Sequence, residues 1–380
     1  MPTDYKLRAS RLSLCRICPD RRDQRCTLND RHCVTNADQG DCPLGHFRLP
    51  ARPRSDLCRD KIRVGLAAHG LYEGGVEEWF RCLVAGNPDP SIEYTAIGVF
   101  DHTRQPTHRG WNLPIVPHDQ LHQHCDLILG WSTDLSHLRD WPGKIVYIAH
   151  GSSHWTATWV NRFSRFSDAL VAVSEAARNI IDVPPEAVHL IRNGVNLERL
   201  ITREQRDVLR PTLGFLGRWS DEKRAPLVAE AARLIGCRAA FLIPEEKQPE
   251  ARQFLDRTGI DYFFVTTADL PLFLQRISCL VVPSAHEGGP LVVAEAWASG
   301  APVACTPVGM VPELEAEFGR LTVPLSNPPT PEELATILER IDPSVTEKAY
   351  TVARTYLTQE QMSGEYALLF RRLIPREFTP

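Results

Sequence analysis

The chain has 380 residues, 43% of them hydrophobic, which is enough to bury two ordinary cores, since one core stops growing at about 250–300 residues. The formal net charge is −4 with 24% charged residues, and no apolar run approaches the ~18–20 residues of a membrane-spanning helix, which excludes an integral helical membrane protein. The first twenty residues start basic but hold no continuous apolar stretch and no small-residue cleavage site, so no secretory signal is read and a cytoplasmic location is expected.

Charge is unevenly divided. Residues 1–63 hold 14 Lys and Arg against 8 Asp, a net of +6, and the remainder carries −10. Six of the 11 cysteines also fall in that head. Cys15 and Cys18 form a Cys-x2-Cys pair, and Cys26, Cys33 and Cys42 offer further thiolates, with His32 and His46 in reserve. Clustered cysteines in a long cytosolic chain more often hold a metal than a disulfide, and a short segment with few large apolar residues needs such a staple. Structural zinc is the first reading, an iron–sulfur cluster the second and free thiols the third. The module spans 1–46, and a Pro- and Arg-rich linker, 47–61, follows it.

From residue 62 short β-branched runs alternate with amphipathic stretches, the pattern of βα units around parallel sheets covered on both faces. Strands are predicted at 62–68, 92–100, 125–131, 144–150, 169–174 and 188–195. A second series follows at 212–218, 238–244, 262–267, 279–284, 302–308 and 319–325, with helices at 225–236, 270–278 and 290–299 between them. Two doubly wound, Rossmann-like domains, 62–205 and 206–343, are therefore expected to face a cleft, and 344–380 reads as helices packing back on the first. Ligands of such sheets sit at the carboxyl ends of the strands.

The segment VVPSAHEGGPLVVAEAWASGAPVACTPVG (281–309) places a loop with Glu287, Gly288 and Gly289 between a buried strand and a helix that Pro290 opens. The free N–H groups of that helix start and the two glycines make a cradle for phosphate or sugar hydroxyls, and Glu287 with Glu295 could accept from the hydroxyls of two linked sugars. The alternative is an ordinary helix with solvated glutamates.

This segment resembles the nucleotide-sugar signature of the retaining GT-B glycosyltransferases of family 4, Glu-x7-Glu followed by Ala-x-Ala-x-Gly-x-Pro-Val and a later Gly and Glu. The matching positions are Glu287, Glu295, Ala296, Ala298, Gly300, Pro302, Val303, Gly309 and Glu313. FLGRWSDEK (215–223) is similar to the family's Gly-Arg…Glu-Lys element, with Arg224 where Gly is usual, and RNGVN (192–196) to its Asn-Gly-Val-Asp element, with Asn196 in place of Asp. In the first domain, Gly74 and Gly75 of GLYEGGVEEW (70–79) resemble the loop that approaches the donor diphosphate, and His150 ends a strand where many members have a histidine lining the sugar site.

The resemblance implies transfer of a hexose from a nucleotide sugar, UDP-glucose by default, with retention at the anomeric carbon and without a catalytic metal. Glu287 would hold the transferred sugar, Glu295 the ribose, and Arg218 with Lys223 the diphosphate; Gly288 and Gly289 would offer backbone N–H groups, and Asn193 would line the donor site. For the acceptor, the net charge of the first domain (10 basic, 15 acidic residues in 64–200) makes membrane docking poor. The head, with Arg11, Arg16, Arg21, Arg22, Arg25 and Arg31, suits a phosphate backbone. A 5-hydroxymethylpyrimidine flipped from phage-type double-stranded DNA is narrowly favoured as acceptor. A bacterial surface glycan or small molecule is the alternative, and a nucleic-acid-binding protein with a degenerate transferase domain the third. The Cys-rich head is similar to short phage and bacterial modules that end in Cys-Pro-Leu-Gly.

Overall fold

The computed structural model describes residues 21–22, 25–26, 61–70, 74–100 and 112–375. By contacts the chain divides into two compact units, Met1–Ser55 and Asp56–Pro380. In the first, β1 (Arg21–Arg22) pairs antiparallel with β2 (Arg25–Cys26).

The second unit holds two wholly parallel sheets. The first runs β5-β4-β3-β6-β7-β8-β9, built from β3 (Ile62–Ala68), β4 (Ile92–Val99), β5 (Ile115–Pro117), β6 (Leu127–Trp131), β7 (Lys144–Ala149), β8 (Ala169–Ala172) and β9 (Val188–Leu190). The second runs β12-β11-β10-β13-β14-β15, built from β10 (Thr212–Leu216), β11 (Arg238–Leu242), β12 (Tyr262–Val265), β13 (Cys279–Val282), β14 (Val303–Cys305) and β15 (Val323–Pro324). In each, strand order reverses beside the first strand, between β3 and β6 and between β10 and β13. Such a reversal opens a crevice at the carboxyl ends of the flanking strands.

The strands form where the sequence is apolar without alternation, because both faces of each sheet are covered: six of the seven residues of β3 and all four of β13 are buried. Of the strands in these two sheets, β5 escaped the sequence pattern. Its three residues are partly exposed and lie at a sheet edge, where Pro117 removes no central hydrogen bond.

Several helices start on capping side chains. Ser153 caps α2 (His154–Phe163) by accepting from Thr156 N, and Asp342 caps α10 (Pro343–Tyr356) by accepting from Ser344 N. The helix α4 (Pro226–Ile235) stops at Gly236, whose φ of 75° is the left-handed conformation glycine adopts without penalty. After α10, the chain crosses back. Thr358 bridges Val195, and α11 (Gln359–Leu373) lies against α1 (Gly75–Ala85), where the Ser363 hydroxyl donates to the Leu83 carbonyl at 2.9 Å. Trp79 of α1 and Tyr366 of α11 are both fully buried and meet edge-on at 5.5 Å. One continuous core therefore joins the first sheet, α7 (Leu291–Ala298) and the C-terminal helices, while a second core fills the far face of the second sheet.

Candidate active site

Glu287 lies in the loop that joins β13 to α7. Its Oε1 accepts from the Lys223 Nζ at 2.6 Å and from the Ser284 Oγ at 2.8 Å, and both members of the ion pair are largely buried. A carboxylate fixed by an ammonium and a hydroxyl in a low-dielectric site is oriented before any ligand arrives. Lys223 is positioned by the turn after β10, where its own N–H bonds to the Ser220 carbonyl and the next residue, Arg224, takes φ 51°. That is a left-handed position occupied by a residue with a Cβ. The Arg224 guanidinium holds the turn by donating to the Asn327 Oδ1 at 2.6 Å. Arg218, by contrast, is two-thirds exposed, and among the described residues its one ion pair is with the Glu222 carboxylate, at 3.5 Å.

The first domain reaches this loop through its β7–α2 connection. The Ser152 hydroxyl donates to the Glu287 carbonyl at 2.7 Å, and a Cβ on Gly288 would stand 2.0 Å from the His150 carbonyl oxygen. Gly288 is thus explained by the approach of another backbone. Gly289 is likewise crowded by Asn193, whose Nδ2 donates to the Gly289 carbonyl at 2.6 Å, leaving the buried Asn193 Oδ1 without a partner among the described residues. Glu313, on α8 (Val311–Phe318), ties the same two halves: it accepts from the Glu175 amide at 2.6 Å and pairs with Arg192 at 2.9 Å. Asn196 caps the short turn Leu197–Arg199 by accepting from Glu198 N at 2.9 Å, a role Asn and Asp perform equally well.

The His150 ring sits between Trp79 at 4.4 Å and Trp131 at 6.0 Å. Burial holds its pKa down to about 3, so it is neutral at physiological pH, and its Nε2 has no hydrogen-bond partner among the described residues. Gly74 is the extended N-cap of α1 and Gly75 its first residue. The first turn of the helix thus begins at the Gly-Gly pair.

Glu295 stands on α7, a helix buried on almost every side, at 9% exposure. Burial, with the negative charge of Glu78 added, pushes its pKa up to about 7 against the opposing pull of Arg199. Arg199 itself pairs with Glu78 on α1. No hydrogen bond or ion pair to Glu295 is present among the described residues, and its oxygens are not fully enclosed, so they stay open to a ligand hydroxyl or solvent. Pro290 proves to be the N-cap of α7, one residue ahead of the predicted first turn.

Sequence patterns had not marked Ser152, Ser284, Glu78 or Arg199. Ser152 and Ser284 could have been found from their places just after strands; Glu78 and Arg199 meet only because the chain crosses over. Of the cysteine set, Cys15, Cys18, Cys33 and Cys42 lie outside the described residues, as do His32, His46 and the arginines 11, 16 and 31, while Cys26 closes β2. Among the described residues no group of His, Cys, Asp or Glu could hold a metal, and no helix is long and apolar enough to cross a membrane.

Residues 210–341, the second Rossmann-like domain, match the family described as Glycosyl transferases group 1. No curated protein matches the chain in sequence. Among solved structures, Anabaena HepE in complex with UDP and glucose superposes with a TM-score of 0.67 at 19% identity, over 82% of this chain and 100% of that one. The sucrose-phosphate synthase of Thermosynechococcus elongatus gives 0.64 at 16%, over 82% and 99%. AviGT4, a glycosyltransferase involved in avilamycin A biosynthesis, gives 0.61 at 18%, over 82% and 98%. The chain has the GT-B fold, two Rossmann-like domains with parallel sheets.

Proposed function

We propose that the protein transfers a hexose from a nucleotide sugar to a hydroxyl acceptor with retention at the anomeric carbon, with UDP-glucose as the first donor to test. The observation that carries this reading is the pair of largely buried carboxylates around one helix start: Glu287, oriented by Lys223 and Ser284, and Glu295, without a hydrogen-bond partner among the described residues. HepE, with the same fold, has been solved with UDP-glucose, which supports a UDP-sugar donor.

In this reading Glu287 accepts from hydroxyls of the transferred sugar and Glu295 from the ribose. The amide groups at the starts of α1 and α7 face the diphosphate, and Lys223 and Arg218 offset its growing charge as it leaves. The C1–oxygen bond to the β-phosphate breaks, the acceptor oxygen bonds to C1 on the same face, and the acceptor proton passes to the departing phosphate oxygen. Neutral His150 offers Nε2 to a sugar hydroxyl rather than a proton to the reaction. Catalysis then rests on orientation and electrostatic stabilisation. The zinc-stapled head, on Cys15, Cys18, Cys26, Cys33 and Cys42, belongs to the same proposal, and elemental analysis of the full chain tests it.

The direct experiment is nucleotide release from a panel of sugar nucleotides. Glu295→Gln and Lys223→Met should each lower kcat/KM by about 100-fold or more, the scale of losing a transition-state hydrogen-bond or charge partner. Wild-type turnover in both variants would sink the assignment, and binding of DNA without any donor turnover would favour the degenerate-transferase reading.

A further inference from the structure

A second group of side chains stands at the carboxyl edge of the first sheet and takes no part in the donor site. His69 follows β3, Phe100 follows β4, and Trp155 and Trp159 project from α2. His69 stacks on Phe100 at 5.7 Å between ring centroids, meets Trp155 at 6.1 Å and Trp159 at 6.4 Å, and the two indoles are 5.6 Å apart. Phe100 and Trp155 are the outward members, 44% and 54% exposed. Large rings held in a fixed array by their neighbours yet open to solvent mark a ligand surface rather than a core.

Two further observations say what the surface takes. It adjoins the donor loop: Ser152 bonds to the Glu287 carbonyl at 2.7 Å, and Trp155 lies three residues further along, its Cα at most about 11 Å from that of Ser152. It also offers little to a polyanion. Arg162, the arginine of α2, is held by Asp134 at 3.3 Å and lies over the Trp159 and Phe163 rings at 5.9 and 5.4 Å, and residues 64–200 carry 15 acidic against 10 basic residues. A neutral ring with an apolar face and hydroxyls at its edge meets no repulsion here, whereas a phosphate backbone does.

We infer that Trp155 and Phe100, braced by His69 and Trp159, form the acceptor platform and that the acceptor is an uncharged carbohydrate whose C–H face stacks on these rings. This rests on the transferase reading above and names its acceptor class. It moves the choice of acceptor away from DNA, because the stacking surface beside the donor lies in the acidic domain.

The test uses the full chain with saturating UDP and methyl α-glucoside, maltose and cellobiose as probes, read by saturation-transfer NMR, with a 5-hydroxymethylcytosine duplex in parallel. A sugar from the panel should bind, and Trp155→Ala and Phe100→Ala should each weaken it roughly five- to tenfold, with Trp155→Phe recovering much of the loss. Both side chains are outward, 44% and 54% exposed, so the alanine variants should melt within a few degrees of wild type in the same preparations, as expected of surface changes. Unchanged sugar binding in both alanine variants overturns the platform, and so does a panel in which no sugar binds. Duplex binding that depends on Trp155 overturns the carbohydrate assignment. Absence of nucleotide release from wild type with every donor is a different failure, that of the transferase reading itself.

Discussion

Arg224 sits at φ 51° beside Lys223, and its long side chain anchors to Asn327. The left-handed backbone costs a residue with a Cβ about 1–2 kcal/mol, and an exposed tether of this kind returns about as much. Arg224→Gly should therefore change stability by less than about 1 kcal/mol, while Arg224→Val, without tether and with a β-branch, should lose about 2 kcal/mol or more in urea unfolding. A similar argument gives Glu295 a pH signature. Its folded pKa, about 7, lies above the ordinary 4.5, so the folded state holds a proton that the unfolded state has released between those values. Stability should fall as pH rises from about 4.5 to 7, by on the order of 3 kcal/mol, and stay low above it. Glu295→Gln should flatten that fall and exceed wild type in melting temperature at pH 8 but not at pH 4. A flat wild-type profile would remove the buried, unpaired carboxyl.

At the scale of elements, the β13–α7 loop and the β7–α2 connection are fitted to one another by the lack of a side chain. A Cβ at Gly288 would stand 2.0 Å from the His150 carbonyl oxygen, and one at Gly309, where φ is 58°, 2.4 Å from the Gly288 oxygen. At Gly75 a Cβ would meet only Leu291, at 4.0 Å. Gly288→Ala should cost about 1–3 kcal/mol and most donor turnover, whereas Gly75→Ala should leave stability within about 0.5 kcal/mol of wild type; thermal melts and nucleotide release compare them. In the sequence Gly288 reads as part of a cradle for phosphate or sugar hydroxyls, and Gly75 resembles the loop that approaches the donor diphosphate. Their difference lies in what comes close to them.

Across the whole molecule, the C-terminal helices complete the core of the first half. Val195 exchanges backbone bonds with Leu357 and Gln359 at 2.9 and 3.0 Å, a Cβ on Gly194 would strike the Thr358 carbonyl at 2.2 Å, and Arg371 pairs with Asp89 at 2.6 Å. Truncation after Tyr356 would strip α1 of Tyr366 and Phe370, both fully buried. At about 3–5 kcal/mol for each large aromatic lost from a core, the loss matches most of a domain's net stability. The truncated chain should be recovered in aggregates, and a soluble, cooperatively melting product would show that α11 is dispensable.

Much of this was legible in the amino-acid sequence. Short, largely apolar runs such as IRVGLAA and CLVVPS, set between amphipathic stretches, read as strands covered on both faces, and the alternation leaves parallel sheets as the consistent answer. The spacing of Glu287 and Glu295 and the helix between them follow from local pattern too. Only the tertiary structure decided that Glu295 is buried beside Glu78 and Arg199, that Ser152 bonds to Glu287 from 135 residues away, and that His69, Phe100 and Trp155 share one surface. The physical reason is range: hydrophobic period and turn chemistry act over a few residues, whereas each of these contacts depends on how two sheets and a returning helix pack, which no local window contains.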